Sequence, residues 1–107
     1  MRETLTLIAK ITARPEGVAA MEELLMKLAA ASRAEAGCLS YAVTRVVGES
    51  NAFLLVEEWT DAAALELHNQ TPHVRDAFQT PHVRDAFVRA APLLASMPEM
   101  NRYKMAP

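Results

Sequence analysis

From Leu5 onward the apolar residues fall at every second position. Leu5, Leu7, Ala9 and Ile11 share one side, while Thr4, Thr6, Lys10 and Thr12 lie mainly on the other. That period of two predicts a half-buried strand. Arg14-Pro15-Glu16-Gly17 interrupts it, and from Val18 the spacing changes to three and four. Val18, Met21, Leu24, Leu25 and Leu28 form a stripe, with Glu22, Glu23 and Lys27 between them. This predicts an amphipathic helix running to about Ala36, with Gly37 as its C-cap. Leu39, Tyr41 and Val43 then mark a second strand with those three side chains on one face. After a turn at Gly48-Glu49-Ser50-Asn51, Phe53–Trp59 forms a third strand. Thr60 or Asp61 caps a helix over Ala62–His68, Val88–Leu94 completes a helical stretch, and Met97–Met105 supplies a last strand.

The order strand–helix–strand–strand–helix–strand is a ferredoxin-like βαββαβ arrangement, an α+β fold with a four-stranded antiparallel sheet and its helices on one face. A chain of 107 residues holds one core, so residues 1–107 are expected to be a single domain. The third strand is apolar on both sides, with Phe53, Leu55 and Trp59 on one and Leu54 and Val56 on the other. Two helices cover only one face of such a sheet. The other face therefore calls for a second copy, and a homodimer packed sheet to sheet is expected.

A verbatim nine-residue repeat interrupts the second helical segment. Residues 70–78, Gln70-Thr71-Pro72-His73-Val74-Arg75-Asp76-Ala77-Phe78, recur as residues 79–87. Thr-Pro is a helix-start signal, with Thr at the N-cap and Pro at the first helical position. Pro81 in a continuing helix would cost about 3 kcal/mol. Nine residues at about 100° each is roughly 900°, half a turn out of register, so both copies cannot face the core from one unbroken helix. A break near Gln79–Thr80 is expected, or one copy bulging out as a loop.

Composition narrows the function classes. Eleven basic residues against thirteen acidic ones give a net charge of −2, without the basic stripe of a nucleic-acid binder. The only cysteine, Cys38, has no partner for an internal disulfide and follows the helix end, where nothing lowers a thiol pKa; it reads as a small core residue. The N-terminal stretch lacks the continuous apolar core of a signal peptide, and no run approaches the roughly 20 apolar residues of a membrane span. A cytoplasmic protein with neither nucleic acid nor membrane as partner is the expectation.

More specific are three stretches: Glu35-Ala36-Gly37-Cys38-Leu39-Ser40-Tyr41, then Val56-Glu57-Glu58-Trp59-Thr60-Asp61, then Leu65-Glu66-Leu67-His68-Asn69-Gln70-Thr71-Pro72-His73. Together they resemble the antibiotic biosynthesis monooxygenase family, particularly its quinol-monooxygenase-like branch. The resemblance covers nearly the whole chain apart from one copy of the repeat. It implies a dimeric α+β barrel and a reaction that uses no flavin, metal or other cofactor. The substrate would be a small electron-rich aromatic, a quinol or polyphenol, whose anion passes an electron directly to O₂. An apolar pocket, a base and donors to a developing oxyanion are then required. The family also contains haem degraders and a quorum-signal isomerase. Haem chemistry is disfavoured, because the position of the axial histidine corresponds here to Ala77-Phe78.

The candidate residues follow from these two lines. His68 falls on the Leu65 and Ala64 side of its helix and is the expected general base, against the plainer reading of a core histidine. Trp59 is either a core wall or an indole N–H aimed at a substrate oxygen. Tyr41 packs on the sheet and offers a hydroxyl as proton donor. Phe53 and Leu55 are expected to line the pocket. His73 and His82 are copies that compete for one position, where the occupant reaches the pocket, caps its helix or meets the dimer partner. No metal site is expected: along a continuous helix His68 and His73 stand about 140° apart, whereas helical metal pairs use spacings of three or four. A non-catalytic ligand-binding dimer and a non-oxidative isomerase of a small signal molecule stay open as alternatives, the isomerase requiring a more polar pocket.

Overall fold

The computed structural model describes residues 4–74, 93–104 and 106. Strand β1 (Leu5–Thr12) leads through a 3₁₀ turn at Pro15–Gly17 into helix α1 (Val18–Arg33). Strands β2 (Cys38–Arg45) and β3 (Ala52–Trp59) form a hairpin, followed by helix α2 (Ala62–Asn69), one helical turn α3 (Pro72–Val74) and strand β4 (Glu99–Lys104). The sheet is fully antiparallel in the order β2-β3-β1-β4, the ferredoxin-like topology expected from the pattern. The second copy of the repeat, with Pro81, His82 and the expected break near Gln79–Thr80, lies outside the described residues. No helix among the described residues is long and apolar enough to cross a membrane.

The period-two rows pair across the central strands. Leu5, Leu7, Ala9 and Ile11 of β1 stand opposite Trp59, Glu57, Leu55 and Phe53 of β3. Burying this inner row against the α1 stripe (Met21, Leu25, Leu28, Ala29) makes the core. The outer row of the sheet has no element laid across it among the described residues. Ile8, Leu54 and Val56 are half-buried there, and Tyr103 is exposed.

Two local expectations are corrected, and a third is narrowed to one of its two alternatives. Helix α1 ends at Arg33 with Ala34 as its cap, so Gly37 is not the C-cap. Gly37 instead lies so close to Ala64 of α2 that a Cβ would collide with the alanine side chain, and its carbonyl accepts from the Thr60 N–H at 2.9 Å. A register shift between Cys38 and Ser40 bulges β2 at Leu39. Leu39 is thereby 55% exposed, while Tyr41 points inward at 4%. Of the two possible caps of α2 it is Asp61 whose side chain accepts the Ala64 N–H, at 2.8 Å.

Candidate functional site

The inner sheet face changes character toward the β3 C-terminus. Glu57 continues the row of Phe53 and Leu55 and is only 3% exposed. An isolated buried carboxylate is expensive, so the neighbours of Glu57 matter. The Trp59 indole N–H donates to its Oε1 at 3.1 Å, and the Tyr41 hydroxyl, opposite it in the sheet, also hydrogen-bonds to it. Burial nevertheless dominates and pushes the Glu57 carboxyl up to about 7, with the charge of Glu35 adding to the rise and the two hydrogen bonds opposing it. The same burial, reinforced by the Glu57 charge, drives the Tyr41 hydroxyl far above its ordinary value, so it acts as a neutral donor.

His68 reaches this carboxyl from above. It lies with Leu65 on the buried stripe of α2 and stacks on Trp59 at a ring-centroid distance of 4.4 Å. Its Nδ1 is 2.7 Å from Glu35 Oε2, and its Nε2 is 3.7 Å from Glu57 Oε1. A carboxylate only accepts, so the contact with Glu35 assigns the ring proton to Nδ1 and leaves the Nε2 lone pair on the Glu57 side. Burial lowers the His68 pKa, opposed by its bond to Glu35, which favours this neutral form.

His73 arrives from α3. Its Nε2 is 2.8 Å from the same Glu35 oxygen and 3.0 Å from Thr71 Oγ1, and the Thr71 hydroxyl donates to the His68 carbonyl at 2.7 Å. The expected 140° separation of the two histidines assumed one helix. The chain instead leaves α2 after Asn69 and restarts at Pro72, and this turn brings both rings onto one carboxylate. The donor atoms of Glu35, His68 and His73 all lie within 4.8 Å of one another.

Beside this cluster is a cavity of about 190 Å³. Its apolar wall includes Leu7, Leu28, Leu55 and Val74, and its polar wall is Tyr41, Glu57, His68, Asn69 and Arg102. Of the residues singled out in the sequence, Leu55, Tyr41 and His68 line this cavity. Trp59 does not line the cavity: it is fully buried and its N–H is spent on Glu57 rather than aimed at a substrate oxygen. Phe53 is not in the wall either. It is buried at the opposite end of β3, paired with Ile11, with the Arg45 guanidinium 4.8 Å from its ring centre. His73 touches the site through Glu35 and is absent from the wall, and His82 lies outside the described residues. The two glutamates were missed. The signal for Glu57 was its phase with Phe53, Leu55 and Trp59; Glu35 sits in irregular backbone after α1 and gave no periodic signal.

The model of the antibiotic biosynthesis monooxygenase family matches residues 4–80. YcnE of Bacillus subtilis, whose name provisionally calls it a monooxygenase, is 38% identical over 89 residues, covering 83% of this chain and 90% of its own length. The crystal structure of PA3566 from Pseudomonas aeruginosa superposes with a TM-score of 0.81 at 38% identity, over 100% of this chain and 98% of that one. A Caulobacter crescentus structure assigned to the same family superposes at 0.82 with 22% identity, over 99% and 92% of the two chains, a likeness of fold.

Proposed function

Given that the chain belongs to the antibiotic biosynthesis monooxygenase family, we propose that it oxidises a small quinol or phenol with O₂, with His68 as the base. The observation that carries this reading is the orientation of His68. Glu35 holds the proton on Nδ1, so Nε2 presents a lone pair to the cavity wall that also contains Glu57 and Tyr41.

In this reaction the substrate hydroxyl gives its proton to His68 Nε2. The anion passes one electron to O₂, and recombination of the two radicals forms a C–O bond to the terminal oxygen. The peroxide then loses one oxygen as water and leaves the other on the ring, so a hydroquinone plus O₂ becomes a hydroxyquinone plus water. The Tyr41 hydroxyl, held neutral by burial, and the Glu57 carboxyl in its protonated form below about pH 7 are placed to donate to the oxyanion. A dry cavity of roughly 150 Å³ holds benzene. The present volume of about 190 Å³ thus suits one substituted ring rather than a polycyclic substrate.

The open outer sheet face, with Ile8, Leu54, Val56 and Tyr103, supports the sheet-to-sheet homodimer as the working form. A second reading has its own support. The wall is more polar than Phe53 and Trp59 would have made it, and a neutral imidazole beside a carboxyl that titrates at about 7 is also an acid–base pair for non-oxidative isomerisation. Oxygen-electrode assays with a panel of substituted hydroquinones decide between them. Oxidation predicts uptake above autoxidation that His68→Ala abolishes; no such uptake, with anaerobic turnover of a small polar substrate, would transfer the case to the isomerase.

A further inference from the structure

The cluster of Glu35, His68 and His73 lies on the Nδ1 side of His68, and neither Glu35 nor His73 lines the cavity. It comprises two imidazoles and one carboxylate, a donor set that binds zinc-class divalent cations and leaves room for water as a fourth ligand. We propose that Glu35 Oε2, His68 Nδ1 and His73 Nε2 form a site for a divalent cation of this class.

The three arms come from separate segments: the stretch after α1, the end of α2 and the first turn of α3. Each is anchored independently of a metal. Gly37 accepts from Thr60 at 2.9 Å, Thr71 ties α3 to the His68 carbonyl at 2.7 Å, and the His68 ring rests on Trp59. Side-chain exposures of 5% for His68, 17% for Glu35 and 25% for His73 leave the cluster recessed yet open on the His73 side. Ligands about 2.0–2.1 Å from a tetrahedral ion are roughly 3.4 Å apart. The contacts of 2.7 and 2.8 Å to Glu35 therefore lengthen by about 0.6–0.7 Å when the ion replaces the shared protons. Glu57, whose Oε1 is 3.7 Å from His68 Nε2, stands on the far side of the ring, where an oxygen can accept a proton carried on Nε2.

Coordination changes what His68 shows the cavity. A neutral imidazole bound through Nδ1 carries its proton on Nε2. The ion thus converts His68 from an acceptor facing Glu57 into a donor, which would silence it as a base. This consequence rests on the proposed base role; the site itself does not.

The test uses untagged protein, titrated calorimetrically with Zn²⁺ and followed by visible absorption with Co²⁺. One equivalent per chain is expected, with tetrahedral Co²⁺ bands. Affinity should fall 10–100-fold in Glu35→Gln and in His73→Ala and hold in His82→Ala, with all three variants checked for unchanged circular dichroism. Histidine ¹⁵N spectra should show the His68 proton moving from Nδ1 to Nε2 on Zn²⁺ addition. Absence of saturable uptake, or uptake unaltered by Glu35→Gln, would overturn the site, as would uptake lost in His82→Ala but kept in His73→Ala. Saturable uptake without any hydroquinone oxidation would support the site and count only against the oxidase reading.

Discussion

The two ends of one sheet face teach opposite lessons. At one end Phe53 and Ile11 are fully buried with no polar group required of them, and the Arg45 guanidinium lies over the Phe53 ring. At the other, two pairs along the same strands, Glu57 faces Leu7 and is ringed by Trp59, Tyr41 and His68. The strand geometry is the same throughout. What differs is whether the inward position carries a group that must be solvated by protein, and that single difference turns a packing surface into a site.

The comparison can be broken most forcefully at the dry end. Phe53→Ala should cost about 3–5 kcal/mol of stability, measured by denaturant unfolding, while leaving the His68–Glu35 contact intact. His68→Ala should do the reverse: turnover falls by about 10²–10⁴-fold, and stability changes far less. Loss of comparable stability in both would show that the polar end is merely more core.

Glu57 sharpens the contrast through pH. Its folded pKa of about 7 lies above the unfolded value of 4.5, so the folded state holds the extra proton between them. Stability from this group is then fully present below about 4.5 and is lost as pH rises through about 7. The loss amounts to about 3 kcal/mol by the linkage relation. Urea unfolding at pH 5 and pH 8.5 should show it, and Glu57→Gln should flatten the dependence; an unchanged slope in that variant would assign it elsewhere. His68 works in the other direction, its lowered pKa keeping the base neutral, so the acid limb of the rate profile should fall below pH 6.5. The smallest effect expected is that of Trp59→Phe, about 1–1.5 kcal/mol for the lost hydrogen bond to Glu57, with a further upward shift of its carboxyl visible by ¹³C NMR.

Much of this was legible in the chain because one periodicity governed it. The rows of β1 and β3, the α1 stripe and the inward placing of His68 all follow from spacing two or three-to-four. The misreadings occur where the spacing breaks. Leu39 sits on a bulge, which period two does not foresee. The turn at Gln70-Thr71 redirects His73 toward a residue 38 positions earlier, and no local rule measures that distance. Glu57 had the correct phase and was passed over because a charge seldom occupies an inward strand position, although its three partners were nearby in the same pattern.

Gly37 offers a final consequence. It contributes no side-chain atom to the site, yet it lets the stretch bearing Glu35 lie directly against the helix bearing His68. A scan that truncates side chains to alanine deletes atoms at most positions but would add one here. Gly37→Ala should wedge α2 away from that stretch and lengthen the Glu35–His68 contact, turning His68 free to choose its tautomer. The site would fail with every reactive group still present, a defect of spacing instead of chemistry.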